Sequence, residues 1–184
     1  MLIDYIIVGF GVSGLALANA LQSHNKDFMV YADQSQQATK VAGGLVNPVM
    51  LKTGKLVWNI NEFLPYAKHF YNSLDSNYFA DFPIHRIFNS IEEQNTHISI
   101  ANSINEAYVT HQLVHPYEAI KAPFKMSNVK GGGVVQIQQV LQAEEEKLLT
   151  KNQFFRETFN YSEFQVFDEH VQYKNTKAKH IIFC

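Results

Sequence analysis

The chain opens on a near-continuous apolar run, Leu2 to Val8, broken only by Asp4. A run rich in β-branched residues predicts a central parallel strand buried on both faces. Ala16, Ala18 and Ala20 then lie within a predicted helix over Val12 to Ser23, and Phe28-Met29-Val30-Tyr31 forms a second strand. Phe63, Tyr66, Ala67, Phe70 and Leu74 recur at i, i+3, i+4, i+7 and i+11. They predict an amphipathic helix over about Glu62 to Leu74, with Pro65 in its first turn and the aromatic stripe in the core. From Phe82 to about Gly131 the pattern shifts toward alternation, with Ile84, Arg86 and Phe88 against His85 and Ile87, and with Tyr108-Val109-Thr110 beyond. An antiparallel sheet is expected there, with a short helix over Glu92 to Ile100. Gln136 to Leu149 is a further helix, burying Ile137, Val140, Leu141 and Leu148 and leaving Glu144 to Glu146 as a solvated face. After it come a strand over Phe154 to Phe159, a hairpin arm from Phe164 to Phe167 and His170 to Tyr173, and a last buried strand over Lys179 to Phe183. Cys184 is expected to be buried at its end.

The first two strands are joined by Gly9-Phe10-Gly11-Val12-Ser13-Gly14. A strand, this turn, a small-residue helix, a second strand and an acid make up a dinucleotide-binding unit. Gly9 allows a tight reversal, Gly11 lets backbone approach a pyrophosphate, and Gly14 lets helix and strand pack closely. The amides of Val12 to Gly14 have no helical partner and, with the helix dipole, favour an anion. Asp33 follows the second strand about twenty residues beyond the turn, where an acid accepts hydrogen bonds from an adenosine ribose and repels a 2′-phosphate. The fold class expected is α/β, a Rossmann-like FAD/NAD(P)-binding domain with a parallel sheet and a three-stranded antiparallel arm. A partial antiparallel β layer of the substrate-binding type is inserted into it. The expected boundaries are 1–50 with 131–184 for the nucleotide domain and 51–130 for the insertion.

Beyond Asp33, Gln34 to Lys40 is polar, and Ala42-Gly43-Gly44-Leu45-Val46-Asn47-Pro48 is small, glycine-paired and then apolar. With the turn and the acid, this segment resembles the glycine oxidase and D-amino-acid oxidase family of FAD-dependent oxidoreductases. That family carries V-x-G-x-G-x-x-G, an acid, then a Thr/Ser-x-x-A-x-G-G/M-hydrophobic segment along the flavin side of the pyrophosphate. Ile7 to Gly14, Asp33, and Thr39-Lys40-Val41-Ala42-Gly43-Gly44-Leu45 fill those places. Pro83 to Asn89 is similar to the family's substrate-domain strand, and Gly131-Gly132-Gly133-Val134-Val135 to its return into the FAD domain. The resemblance implies FAD as cofactor. Its binding residues would be Gly9, Phe10, Gly11, Val12, Ser13, Gly14, Ala32, Asp33, Thr39, Lys40, Ala42, Gly43, Gly44 and Leu45, with Phe159 at the adenine. It also implies oxidation of a small amine or amino acid, by removal of a hydride to flavin N5 and hydrolysis of the resulting imine. In the family a glycine turn that touches the flavin follows the last strand, and a second half completes the substrate pocket. The expectation is therefore an amino-terminal part of such an enzyme.

Composition narrows the partners. With 184 residues, a net charge of −2 and no basic stripe, nothing points to nucleic acid. The single cysteine cannot form an internal disulfide, and no residues have metal-ligand spacing. The apolar start lacks a basic n-region and no run approaches a membrane span, so the reducing cytoplasm is the default. No catalytic set emerges. His85-Arg86 could meet a substrate carboxylate, but Arg86 is expected to be structural or solvated. His24, His69, His97, His111, His115, His170 and His180 are scattered. Two other readings stay open, an NAD-dependent dehydrogenase and a non-catalytic nucleotide-binding or interaction module, as do a homo-oligomer and a partner subunit. The Gly43-Gly44 pair argues against the dehydrogenase, in which a crossover helix would follow the second strand.

Overall fold

A computed structural model describes residues 2–33, 35, 38–101 and 107–184. Gln34, Gln36 and Gln37 of the polar stretch, and 102–106 of the alternating stretch, lie outside the described residues. The chain divides into two compact units, 1–42 with 137–184, and 43–136.

The first unit is built on a six-stranded sheet ordered β10-β11-β12-β1-β2-β9. Its strands are β1 (Leu2–Val8), β2 (Phe28–Ala32), β9 (Phe154–Arg156), β10 (Phe164–Val166), β11 (Val171–Tyr173) and β12 (Thr176–Phe183). β12, β1, β2 and β9 run parallel, and β10 and β11 add an antiparallel arm to β12. The register aligns Ile182, Ile7, Val30 and Phe154 across the parallel strands. Ile7, Val30 and Phe154 share one core with Ala18 and Leu21 of α1 (Val12–Ser23) and Leu148 of α5 (Ile137–Thr150). Each such large apolar side chain contributes about 1.5–3 kcal/mol when fully buried. A second core gathers Ile3, Ile6, Tyr31, Tyr173 and Ala178. Asp4, the polar break in β1, accepts from the Asp27 amide at 3.1 Å and pairs with Lys179 at 2.7 Å, which holds its carboxyl below the usual range.

Both helices end in the same way. Asn25 (φ 54°) and Asn152 (φ 54°) take the left-handed conformation one residue past the cap. The Lys26 amide then donates to the Leu21 carbonyl at 3.0 Å and the Gln153 amide to the Leu148 carbonyl at 2.9 Å. This closure satisfies carbonyls that the helix leaves open and turns the chain straight into β2 and β9.

Several expectations need correction in this unit. β9 stops at Arg156, and Glu157 to Phe159 leave the sheet. β12 starts earlier than expected, at Thr176, and buries only Ala178 fully, so the apolar end of the strand is half covered. Cys184 beyond it is exposed rather than buried.

The second unit carries two three-stranded antiparallel sheets. One is ordered β3 (Leu45–Val46), β8 (Gly133–Val135), β4 (Phe79–Asp81), the other β5 (Ile84–Ile87), β7 (Met126–Val129), β6 (Val109–Val114). The expected short helix is α4 (Ile91–Ala101). The long helix is α3 (Ile60–Leu74), which starts earlier than the apolar stripe suggests, so Pro65 sits in its second turn. Its buried residues are Ile60, Leu64 and Tyr71, while Phe63 and Tyr66 are exposed. The core face is therefore rotated away from the expected aromatic stripe. Aromatic residues occur on both sides of this helix, and spacing alone does not say which side is covered.

Candidate dinucleotide-binding groove

The carboxyl ends of β12, β1, β2 and β9 open onto a groove of about 760 Å³. A crevice at the strand ends of an open α/β sheet is where such folds take ligands. Its floor is the glycine turn. Gly9 has φ +100°, and a Cβ there would strike the Cys184 carbonyl oxygen. At Gly14 a Cβ would strike the Gly9 carbonyl oxygen, so both glycines are fixed by backbone contact. Gly11 differs. Its φ of −88° suits any residue, and a Cβ would meet only the Thr39 Oγ1 side-chain atom, at 2.9 Å. Gly11 also caps α1 without any side-chain hydrogen bond, and no acid stands in the first turn. The positive end of a twelve-residue helix is therefore left open to the groove.

At the other end stands Asp33. Its Oδ1 accepts from the Ser35 amide at 3.0 Å and the Ser35 hydroxyl at 2.5 Å, and its Oδ2 from the Thr158 hydroxyl at 2.6 Å. The Ser35 hydroxyl, then Thr158, lower its pKa to about 2. The carboxylate is ionised throughout the physiological range.

Of the residues expected at the cofactor, Gly9, Phe10, Gly11, Val12, Ser13, Ala32, Asp33, Thr39, Lys40 and Phe159 line the groove. Gly14 packs behind the turn, and Ala42 is outside the lining. Gly43, Gly44 and Leu45 belong to the second unit. There Gly44 has φ +68° and its α-carbon faces the Val135 carbonyl, so the sheet itself requires a glycine at that position. The Lys40 carbonyl accepts from Gln138 at 2.7 Å, tying α2 (Ala38–Val41) to α5. Phe159 stacks on Tyr173 with centroids 4.2 Å apart and meets Phe183 edge-on at 5.4 Å.

The groove also holds residues that pattern reading passed over. Glu145, expected on a solvated face, has a side chain only 14% exposed; it accepts from Arg156 Nε at 2.6 Å and lines the groove. The acidic face is not uniformly wet because Arg156 at the end of β9 comes up against it. Ser35 and Thr158 were missed because hydroxyl residues past a strand end are common; a hydroxyl just beyond the neighbour of the strand that ends in an acid is the signal that finds Thr158.

Among the described residues, no acid–base or nucleophile constellation assembles in the groove. In the second unit, Arg86 lies over the Phe88 ring at 5.3 Å and donates to the Lys52 carbonyl at 3.3 Å, a structural role. His85 Nε2 lies 3.3 Å from the Tyr117 hydroxyl. His97 is 2% exposed, and burial lowers its pKa. Among the described residues no group of His, Cys, Asp or Glu could hold a metal ion, and no helix is long and apolar enough to cross a membrane.

No protein-family model matches the chain. Solved structures do. Glycine oxidase from Geobacillus kaustophilus superposes with a TM-score of 0.71 at 14% identity, over 99% of this chain and 55% of that one. The chain has the glycine oxidase fold. Iminodiacetate oxidase from Chelativorans sp. BNC1 gives a TM-score of 0.70 at 14% identity, over 98% and 54% of the two chains. L-proline dehydrogenase from P. horikoshii gives 0.69 at 14%, over 100% and 52%. The chain thus spans about half the length of the proteins that share the glycine oxidase fold with it.

Proposed function

We propose that this chain is the FAD-binding part of a flavin-dependent oxidoreductase acting on an amine or amino acid. The observation that carries the reading is the groove running from the uncapped amino terminus of α1, over Gly11, to the ionised Asp33. The residues fit a dinucleotide. The open α1 amides and the space above Gly11 would receive the pyrophosphate, and Asp33 the adenosine ribose. Phe159, in its aromatic cluster, would lie beside the adenine. The lack of a catalytic set among the described residues is compatible with this assignment, since the protein's part in such chemistry is binding, orientation and electrostatics. Bound FAD would supply the acceptor, at flavin N5, for a hydride removed from the carbon next to the substrate nitrogen.

The substrate class rests on proteins of the same fold, which include a glycine oxidase, an iminodiacetate oxidase and an L-proline dehydrogenase. Unit 43–136 would then be part of a substrate domain inserted into the cofactor domain. A single cysteine agrees with a reducing cytoplasm. An NAD-dependent dehydrogenase accounts for the turn and Asp33 but not for the connection after β2. Between β2 and its parallel neighbour β9 the chain inserts the whole second unit before α5, where a direct crossover helix is the rule.

The test is the visible absorbance spectrum of the purified chain after loading with FAD and removal of free cofactor. Two flavin bands that stay with the protein support the assignment. A colourless chain that binds NAD in a parallel titration would overturn it.

A further inference from the structure

Asp33 is not simply an acid at a strand end. Among the described residues, three donors hold it, the Ser35 amide and hydroxyl on Oδ1 and the Thr158 hydroxyl on Oδ2. A carboxylate offers about four lone-pair positions, two on each oxygen. Ser35 uses both on Oδ1, and Thr158 one on Oδ2. Against these described donors the position left over is on Oδ2, and Asp33 lines the groove.

Resting on the cofactor assignment above, we propose that Ser35 and Thr158 are positioning residues that fix the Asp33 carboxylate so that its Oδ2 alone accepts a single hydroxyl of the adenosine ribose. The two donors come from different parts of the chain. Ser35 belongs to the connection after β2, and Thr158 follows β9, the strand that pairs with β2 at Ala32↔Arg156. Their agreement on one carboxylate ties the ribose site to the closing of the sheet edge, because Thr158 reaches Asp33 only when β9 is in register on β2. The same clamp keeps the carboxylate ionised, with Ser35 and then Thr158 as the main causes. An unclamped aspartate could rotate about its terminal torsion and would have to be ordered by the ligand, at a cost in affinity.

The experiment uses the full chain and measures dissociation constants for FAD and for two FAD analogues whose adenosine ribose lacks the 2′- or the 3′-hydroxyl. It compares wild type, Thr158→Val and Thr158→Ser. Wild type should bind one analogue about tenfold more weakly than FAD, the size of a lost hydrogen bond to a charged acceptor. Thr158→Val should bind FAD about tenfold more weakly and lose nothing more with that same analogue. Thr158→Ser, which keeps the donor, should bind like wild type. Ser35→Ala provides an independent variant that should show the same lack of additivity. Additive losses, an unchanged Thr158→Val, or a Thr158→Ser as weak as Thr158→Val would each overturn the clamp while leaving FAD as the cofactor. A wild-type chain that binds no FAD would overturn the cofactor assignment and the clamp together.

Discussion

The three glycines of the first turn answer different constraints, so their substitutions should fail differently. At Gly11 the backbone is ordinary and only the Thr39 side chain lies close to an added Cβ. Gly11→Val should therefore keep the fold, read by circular dichroism, and abolish FAD binding by filling the pyrophosphate space. Retained binding would sink the phosphate-cradle assignment. Gly14→Ala should instead lower the unfolding midpoint, because the obstacle is the Gly9 carbonyl, which cannot rotate away. His97 supplies a pH dependence. Burial, offset in part by the Thr110 backbone and aided by Arg86, lowers its pKa from 6.5. Just below pH 6.5 the unfolded chain binds more protons than the folded one, so stability rises with pH through that window. It is complete above 6.5 and declines as pH falls toward the folded pKa. His97→Leu should remove this slope between pH 5 and 7 in urea titrations, and an unchanged slope would place the titrating group elsewhere. The glycine spacing was legible in the sequence because backbone contacts leave no room for another residue type at Gly9 and Gly14. Ser35 and Thr158 were not, since partners separated by 123 positions become neighbours only through the pairing of β2 with β9.

At the scale of elements, legibility followed how many faces of a segment could be buried. The buried set of α5, Ile137, Val140, Leu141 and Leu148, is the set its spacing predicts, because its other faces are Gln, Glu and Lys. α3 offers apolar residues on two sides, and the side that is covered carries Ile60, Leu64 and Tyr71 rather than Phe63 and Tyr66. Helix ends were harder still. The Asn25 and Asn152 closures have a sequence signal, an asparagine just past the last apolar residue of a helix, but it is a weak one beside the glycine usual there. The geometry makes a definite prediction. Asn152→Val should cost about 1–2 kcal/mol, because a β-branched residue resists the left-handed conformation, whereas Asn152→Gly should be close to neutral. Equal urea midpoints for the two variants would mean that the α5 closure contributes nothing to stability. Leu148→Ala, in the core beneath the same turn, should cost about 2–5 kcal/mol by leaving a cavity between α5 and the sheet.

At the scale of the molecule, the parallel sheet is closed by a chain that leaves it at Ala42 and returns at Ile137. The composite character of the fold was legible as a change of period after Leu74, but the points of exit and return depend on contacts that no local pattern encodes. The first unit's cores, groove and Asp33 clamp are all made by residues of that unit. The exit and return are held side by side, since Gln138 donates to the Lys40 carbonyl at 2.7 Å. Replacing 43–136 by a short Gly/Ser linker should therefore leave a folded domain, because closing so short a gap costs little loop entropy. That domain should still bind FAD, since the groove is lined by residues of the first unit. Linkage supplies the readout: FAD at one hundred times its dissociation constant should stabilise the shortened domain by about 2.7 kcal/mol, visible as a raised thermal midpoint. A midpoint that FAD leaves unchanged at any concentration, in a domain shown by circular dichroism to be folded, would mean that the groove needs the inserted unit to bind the dinucleotide at all.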